Sequence, residues 1–201
     1  RRGAIALVGG LSLLLGGLTV GQTIDPLRRT ALLLPRGRRP GEGPTGFPIN
    51  RTAAAAGITA GDTGPGWRLT ARGGGREVVL DRSQLLAMSQ HTARLPIACV
   101  EGWSTLQTWT GVRLRQLAAL VEVADPVSAQ VRSLEQAGLF NQATLQANQV
   151  QDADSLLALR VNGVDLSIDH GFPARVIVPA LPGVHNTKWV TSIEFRARSD
   201  G

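Results

Sequence analysis

The sequence predicts an α+β fold, mainly β in mixed sheets with short helices, and three observations carry that expectation. The 201 residues include 24 Gly and 11 Pro but no Tyr, and aromatics are only 4%, a composition of many turns and no long helical bundle. Most apolar segments are short, and the clearest alternate with polar residues, the period of a half-buried strand. Only two segments, both brief, offer a helical period or a helix start. With 43% hydrophobic residues the chain can bury one sizeable core.

Taken in order, residues 3–24 form an uncharged run of 22 residues, from Gly3 to Ile24. At about 1.5 Å per residue it is long enough to cross a bilayer as a helix. We expect a transmembrane helix or anchor over 1–27, a Pro/Gly/Arg-rich linker over 28–46, and a globular domain over 47–201. The run is open to reading as the last of several spans of a longer protein, a single anchor or a signal peptide. Trp67, Leu69 and Ala71 alternate with polar residues, Gly73-Gly74-Gly75 turns, and Glu77 to Leu80 returns, which is a β-hairpin. Asp81 is placed to cap a short helix over Arg82 to Met88. Leu95 to Val100 reads as a buried strand, and Val112 to Val121 as a helix with Leu114, Leu117, Leu120 and Val121 on one face. Further strands are expected at Val127–Arg132, Leu156–Val161 (turned by Asn162-Gly163), Ala174–Val178 and Val190–Arg196.

Charge excludes a nucleic-acid role. The net charge is +6, yet residues 1–66 carry eight Arg against three acids, whereas residues 67–201 carry thirteen bases against twelve acids. The globular part is nearly neutral. Arg supplies every base except Lys188, which stands out for that reason. The single cysteine, Cys99, rules out an intrachain disulfide and any zinc site built on paired cysteines.

Two regions can carry chemistry. Cys99 sits in Ile97-Ala98-Cys99-Val100-Glu101-Gly102-Trp103-Ser104, where an apolar strand reaches a Gly-containing turn. It is open to three readings: a small buried hydrophobe, a nucleophile activated by His91, His170 or His185, or a thiolate ligand to a metal whose other ligands come from an organic cofactor. The second region is Asp169-His170-Gly171-Phe172-Pro173-Ala174-Arg175, followed by Asn186-Thr187-Lys188-Trp189-Val190. An imidazole, a planar guanidinium and a point charge close together in sequence are a combination that holds phosphate. Each alone is equally a solvated or turn residue.

Taken together, Ala98-Cys99-Val100-Glu101-Gly102-Trp103-Ser104, Trp109-Thr110-Gly111-Val112, Asp169-His170-Gly171-Phe172-Pro173-Ala174-Arg175 and Lys188-Trp189-Val190, in this order, resemble the molybdopterin-binding domain of the sulfite oxidase superfamily, from about Phe47 to Phe195. The resemblance implies that superfamily's molybdopterin-domain fold, a molybdopterin cofactor and a mononuclear molybdenum oxidoreductase. It implies that Cys99 is the protein's molybdenum ligand and that His170, Arg175 and Lys188 hold the pterin phosphate. It matches Asn50-Arg51-Thr52 to an Asn/Arg element near cofactor and substrate, so Asn50 and Arg51 join the cofactor-binding set and Arg51, with Arg94, is a candidate for orienting substrate.

Glu101-Gly102-Trp103-Ser104 stands where true sulfite oxidases are Arg-rich, and the active-site Tyr of those enzymes has no counterpart. The resemblance is therefore to the bacterial membrane-anchored branch, with two-electron oxo transfer on an S-oxide or N-oxide. The expected partners are a small-molecule oxo donor or acceptor, the membrane, and a cytochrome b or quinol electron partner. By resemblance the catalytic domain lies outside the cytoplasm, although the Arg28–Arg39 cluster argues the other way. The competing readings are a cysteine hydrolase using Cys99 and a cofactor-free, membrane-tethered β-rich binding module.

Overall fold

The computed structural model describes residues 10, 42–98, 103–136, 138, 141–179 and 186–198. The apolar run 3–24, except Gly10, lies outside them, as do Cys99 and His185. Among the described residues no helix is long and apolar enough to cross a membrane.

Among the described residues, ten strands and three short α-helices make up the domain, in keeping with its mainly β, α+β character. The strands are β1 (Leu69–Gly73), β2 (Arg76–Leu80), β3 (His91–Ala98), β4 (Ser104–Arg113), β5 (Ser128–Ser133), β6 (Gln142–Gln146), β7 (Leu156–Val161), β8 (Val164–Asp165), β9 (Arg175–Ile177) and β10 (Val190–Arg196). The helices are α1 (Arg82–Ala87), α2 (Leu114–Leu120) and α3 (Ala147–Gln151). One sheet has the order β2-β1-β10-β5-β6. Its β1 and β10 run parallel and its other pairs antiparallel, so the sheet is mixed. The other sheet has the order β3-β4-β7-β8, and β9 also pairs with β7.

Local chemistry explains the expected elements that formed. The β1–β2 hairpin turns at Gly74 and Gly75, both at positive φ. Asp81 caps α1 by accepting from the Gln84 amide at 2.8 Å, while the Gln84 side chain accepts from the Asp81 amide at 2.9 Å, a capping box. The β7–β8 turn carries Asn162 at φ 51° and Gly163 at φ 83°, the twist a two-residue hairpin loop requires.

Four elements differ from expectation. The helix expected from Val112 begins at Leu114, because Val112 and Arg113 complete β4. Strand β4 itself, rich in Thr and Gln, lacks a clean alternation; neighbours on both edges, β3 and β7, hold it. β6 and α3 were equally hidden by polar residues, although Ala143, Leu145 and Val150 are buried.

The interior is layered around β7. Leu157 and Leu159 face a large apolar cluster with Leu69, Ile193, Phe195 and the α2 residues Leu114 and Leu117. Leu156 and Ala158 face a second cluster with Leu95, Ile97, Trp109 and Phe47. Burial on both faces explains why this strand reads as the unbroken apolar run Leu156-Leu157-Ala158-Leu159. A third, small cluster of Ala53, Ile58 and Trp189 brings the early segment against the start of β10.

Candidate cofactor site

Three loops converge at one end of β9 and β10: residues 47–53, 167–175 and 186–189. Arg175 opens β9 and is only 4% exposed. Its guanidinium donates to the carbonyls of His170 and Asn186, both at 3.1 Å, and lies 5.4 Å from the centre of the Trp109 ring. Lys188 Nζ donates to the Arg51 carbonyl and, at 3.0 Å, to that of Asp169. Asp169 in turn accepts from the Ala53 amide at 2.8 Å. These contacts stitch residues distant in sequence into one cradle. Gly171, at φ 107°, lets the strands of the cradle close: a Cβ there would lie 3.0 Å from Arg175 Cβ and 3.1 Å from Lys188 Cβ. Trp189 adopts φ 51°, a left-handed conformation that costs a bulky residue on the order of 1–3 kcal/mol. Its indole donates to the Ile168 carbonyl at 2.6 Å, and Lys188 Nζ lies 4.6 Å from its ring centre.

Burial shapes the charges. Desolvation, then the Arg175 guanidinium, pushes Lys188 down to about 7. Desolvation likewise pulls Arg175 down to about 9, so it remains protonated at neutral pH. His170 falls to about 4, from burial first and Arg175 second, and is therefore a neutral imidazole. Its Nε2 faces the Phe47 carbonyl at 3.2 Å, which can only accept, so Nε2 carries the proton and Nδ1 accepts from the Ser167 hydroxyl at 2.7 Å. The Phe47 ring packs on the imidazole, 3.9 Å between centres.

The sequence-derived candidates thus fall into groups. Arg51, His170, Arg175 and Lys188 come together in the cradle. His170 has both ring nitrogens engaged within the protein, so its visible work is to seat Phe47 and the 167–171 turn. Asn50 turns its Oδ1 back onto the Arg51 amide at 2.9 Å and is exposed. Arg94 stands exposed on β3 opposite Thr108, and no hydrogen bond or ion pair joins it to the cradle among the described residues. Cys99, expected at the end of β3, lies just beyond the last described residue of that strand, Ala98.

The structure adds Glu135, Asn186 and Thr187. Glu135, 5% exposed, forms an ion pair with Arg51 (Nη1 to Oε1, 2.9 Å). Nothing in the local sequence marks this acid. Asn186 and Thr187 are buried beside Lys188, and that adjacency was the available signal. Buried Arg175 Nε, Asn186 Nδ2 and Thr187 Oγ1 have no hydrogen-bond partner, and Glu135 Oε1 meets Arg51 as an ion pair without a hydrogen bond. Arg175 and Lys188 also lack any ion pair with a carboxylate among the described residues. A buried guanidinium, a half-buried ammonium and orphaned donors suit an anionic, oxygen-rich group, and the donor set therefore fits a pterin phosphate.

Comparison with known proteins agrees. Residues 57–201 match the family described as oxidoreductase molybdopterin binding domain. The uncharacterized oxidoreductase YuiH of Bacillus subtilis (strain 168) is 30% identical over 119 residues, 59% of this chain and 59% of its own length. Human mitochondrial sulfite oxidase is 34% identical over 95 residues, covering 44% of this chain and 17% of that enzyme. Among solved structures, the sulfane dehydrogenase SoxCD of Paracoccus pantotrophus shares the fold, with a TM-score of 0.60 and 23% identity over 66% of this chain and 38% of that one. The chain thus spans about six tenths of YuiH and a minor part of sulfite oxidase. Readings as a cysteine hydrolase or a cofactor-free binding module give way to this match. The chain belongs to the oxidoreductase molybdopterin-binding domain family, within the sulfite oxidase superfamily, and its cofactor is molybdopterin.

Proposed function

We propose that this domain catalyses two-electron oxo transfer in the reducing direction, converting an S-oxide or N-oxide to the parent sulfide or amine. For an S-oxide, R2SO takes up two electrons and two protons to leave R2S and water. The electrons come from a membrane redox partner, a cytochrome b or a quinol. Bound molybdopterin supplies the metal centre that accepts the oxygen atom and exchanges the electrons. Cys99 is the protein's ligand to that metal. Arg175 and Lys188 hold the cofactor's phosphate by charge, and the Phe47–His170 pair shapes the wall beside them. Arg51, whose main chain is tied to Lys188, orients the substrate oxygen through its guanidinium.

The observation that carries this reading is the buried Arg175 with the half-buried Lys188, neither paired with a carboxylate among the described residues, beside the unpaired Asn186 Nδ2 and Thr187 Oγ1. Metal analysis together with a viologen-linked assay tests it: about one molybdenum per chain and reduction of dimethyl sulfoxide are expected. A metal-loaded protein that oxidises sulfite and leaves S-oxides untouched would overturn it.

The same reading places the domain on the outer face of the cell membrane, tethered through residues 3–24. Protease added to intact spheroplasts then degrades the domain. Protection until the membrane is broken would put it inside.

A further inference from the structure

We propose that the cavity beside Arg51 binds an uncharged oxo compound with a small apolar arm, and that Glu135 sets this preference by cancelling the charge of Arg51 and so excluding anions. The inference rests on the oxo-transfer reading for the use of the cavity, but its charge selectivity can be measured separately.

The cavity has a volume of about 450 Å³ and is lined by Arg51, Ala55, Ala56, Ile58, Leu134 and Gln136, together with Gly57 and Asp62. That volume lies within the ordinary range for small-molecule sites, about 300–1,000 Å³. Its apolar wall continues into the Ala53, Ile58 and Trp189 cluster, against which Ala56 and Leu134 pack. Its polar side is dominated by Arg51.

That guanidinium is not a free positive charge. Nη1 lies 2.9 Å from Glu135 Oε1, and Nη2 donates to the Ala55 carbonyl at 3.2 Å. The Arg51 side chain is 35% exposed and that of Glu135 only 4%, so the carboxylate sits behind the guanidinium and the guanidinium fronts the cavity. The other ionisable wall residue, Asp62, is a second carboxylate. A dianion such as sulfate therefore meets an Arg51 charge already offset by Glu135, while the neighbouring Lys188 ammonium is turned to the Arg51 and Asp169 carbonyls. A neutral S=O oxygen needs only a donor, and the guanidinium has five N–H groups, of which one is given to the Ala55 carbonyl.

Glu135 is also held in place. Its amide donates to Ser133 Oγ at 3.1 Å, that hydroxyl donates to the Lys188 carbonyl at 2.8 Å, and the Leu134 amide donates to the Trp189 carbonyl at 2.8 Å. Gly138, at φ 126°, closes over the ion pair. A Cβ there would lie 2.9 Å from Glu135 Oε1 and 3.4 Å from Arg51 Nη1, so a larger residue would push the carboxylate off its partner. An incoming anion that takes Arg51 from Glu135 leaves a buried carboxylate unpaired on a main chain that these ties hold in place.

The experiment is an equilibrium titration of the cofactor-loaded protein, without reductant, using dimethyl sulfoxide as the neutral probe and sulfate as the non-reducible dianion. The wild-type protein binds dimethyl sulfoxide, and sulfate does not compete. Glu135→Gln gains sulfate affinity on the order of tenfold or more, and adding Arg51→Ala abolishes the gain. Glu135→Asp, which keeps the charge, stays closed to sulfate. Sulfate binding to wild type as tightly as to Glu135→Gln overturns the inference. If Glu135→Gln fails to fold, the wild-type competition decides alone: sulfate displacing dimethyl sulfoxide overturns the inference and no displacement supports it. A neutral probe that binds without displacement by sulfate, yet is never reduced when electrons are supplied, sinks the oxo-transfer reading and leaves the charge selectivity standing.

Discussion

The interior around Leu157 and the cradle around Arg175 both hold fully enclosed side chains and differ in almost everything else. On one face of β7, Leu157 and Leu159 pack against Leu69, Leu117 and Ile193, all with no exposed surface and no polar group to satisfy. On and just after the neighbouring strand β9, Arg175 is buried and Lys188 half-buried, their hydrogen-bond partners are backbone carbonyls, and three orphaned polar atoms lie in the same segments. Burial of apolar surface stabilises at roughly 25 cal/mol per Å². Burial of an unpaired charge costs several kcal/mol. A fold that keeps the second region beside the first supplies from its apolar interior the stability that this polar region lacks, and under the proposed phosphate-binding role an anionic ligand would complete it.

Substitutions in the two regions should therefore separate stability from cofactor content. The largest effect is expected from Cys99→Ser, which removes the proposed thiolate ligand: turnover is abolished while molybdopterin content falls only in part and circular dichroism is unchanged. Wild-type turnover in that variant refutes the assignment.

Leu157→Ala tests the apolar side. Opening a cavity in a fully buried cluster should cost about 2–5 kcal/mol in chemical denaturation, with molybdopterin content per folded molecule preserved. Arg175→Ala and Lys188→Ala should do the reverse. Each deletes a charge-assisted contact of roughly 1.5–3 kcal/mol, so pterin occupancy drops about tenfold, and the double variant loses more. Full occupancy in the purified variants would remove both residues from the phosphate site.

The smallest effects are in pH dependence, and they belong to the cradle alone. Lys188 is pushed from an ordinary value of 10.5 down to about 7, so between these values the unfolded chain binds more protons than the folded one. The penalty for burying the ammonium is complete below pH 7 and fades as pH rises. The stability of cofactor-free protein should climb from about pH 7 toward 10.5, with Arg175 adding to the rise above about pH 9, and Lys188→Met should flatten the part between 7 and 9. Loading the cofactor should flatten it too, because a bound phosphate favours the ammonium. His170, lowered from 6.5 to about 4, adds a loss of stability as pH falls across that window, removed in His170→Gln. Denaturation midpoints measured across pH check both slopes.

Much of this was legible without coordinates, and the legible parts are local. Gly74 and Gly75 at the hairpin, Asp81 at the start of α1 and Asn162-Gly163 at the β7–β8 turn each act on residues a few positions away, through φ preference or a short side-chain hydrogen bond. The ordered motifs around Cys99, His170, Arg175 and Lys188 likewise announced the cofactor class. β4 was not legible, because its Thr and Gln residues owe their strand to β3 and β7 on either edge. Nor was the part of Glu135 in the site, since an acid in a polar loop looks the same whether it meets water or Arg51.

What the sequence by itself determined about this protein was the kind of site it carries: the turns, caps and apolar periods of a β-rich domain, and the residue types that suit a phosphate. The tertiary structure alone decided which of those residues meet. The parallel pairing of β1 with β10 joins Thr70 to Ser192, and Lys188 reaches the carbonyl of Arg51 across 137 positions. Glu135 finds Arg51 only because β5 lies beside β10. Contacts at such separations have no local signature; they form because closing a longer loop costs only slightly more entropy, and the shared apolar core then selects the one arrangement in which all the faces are covered.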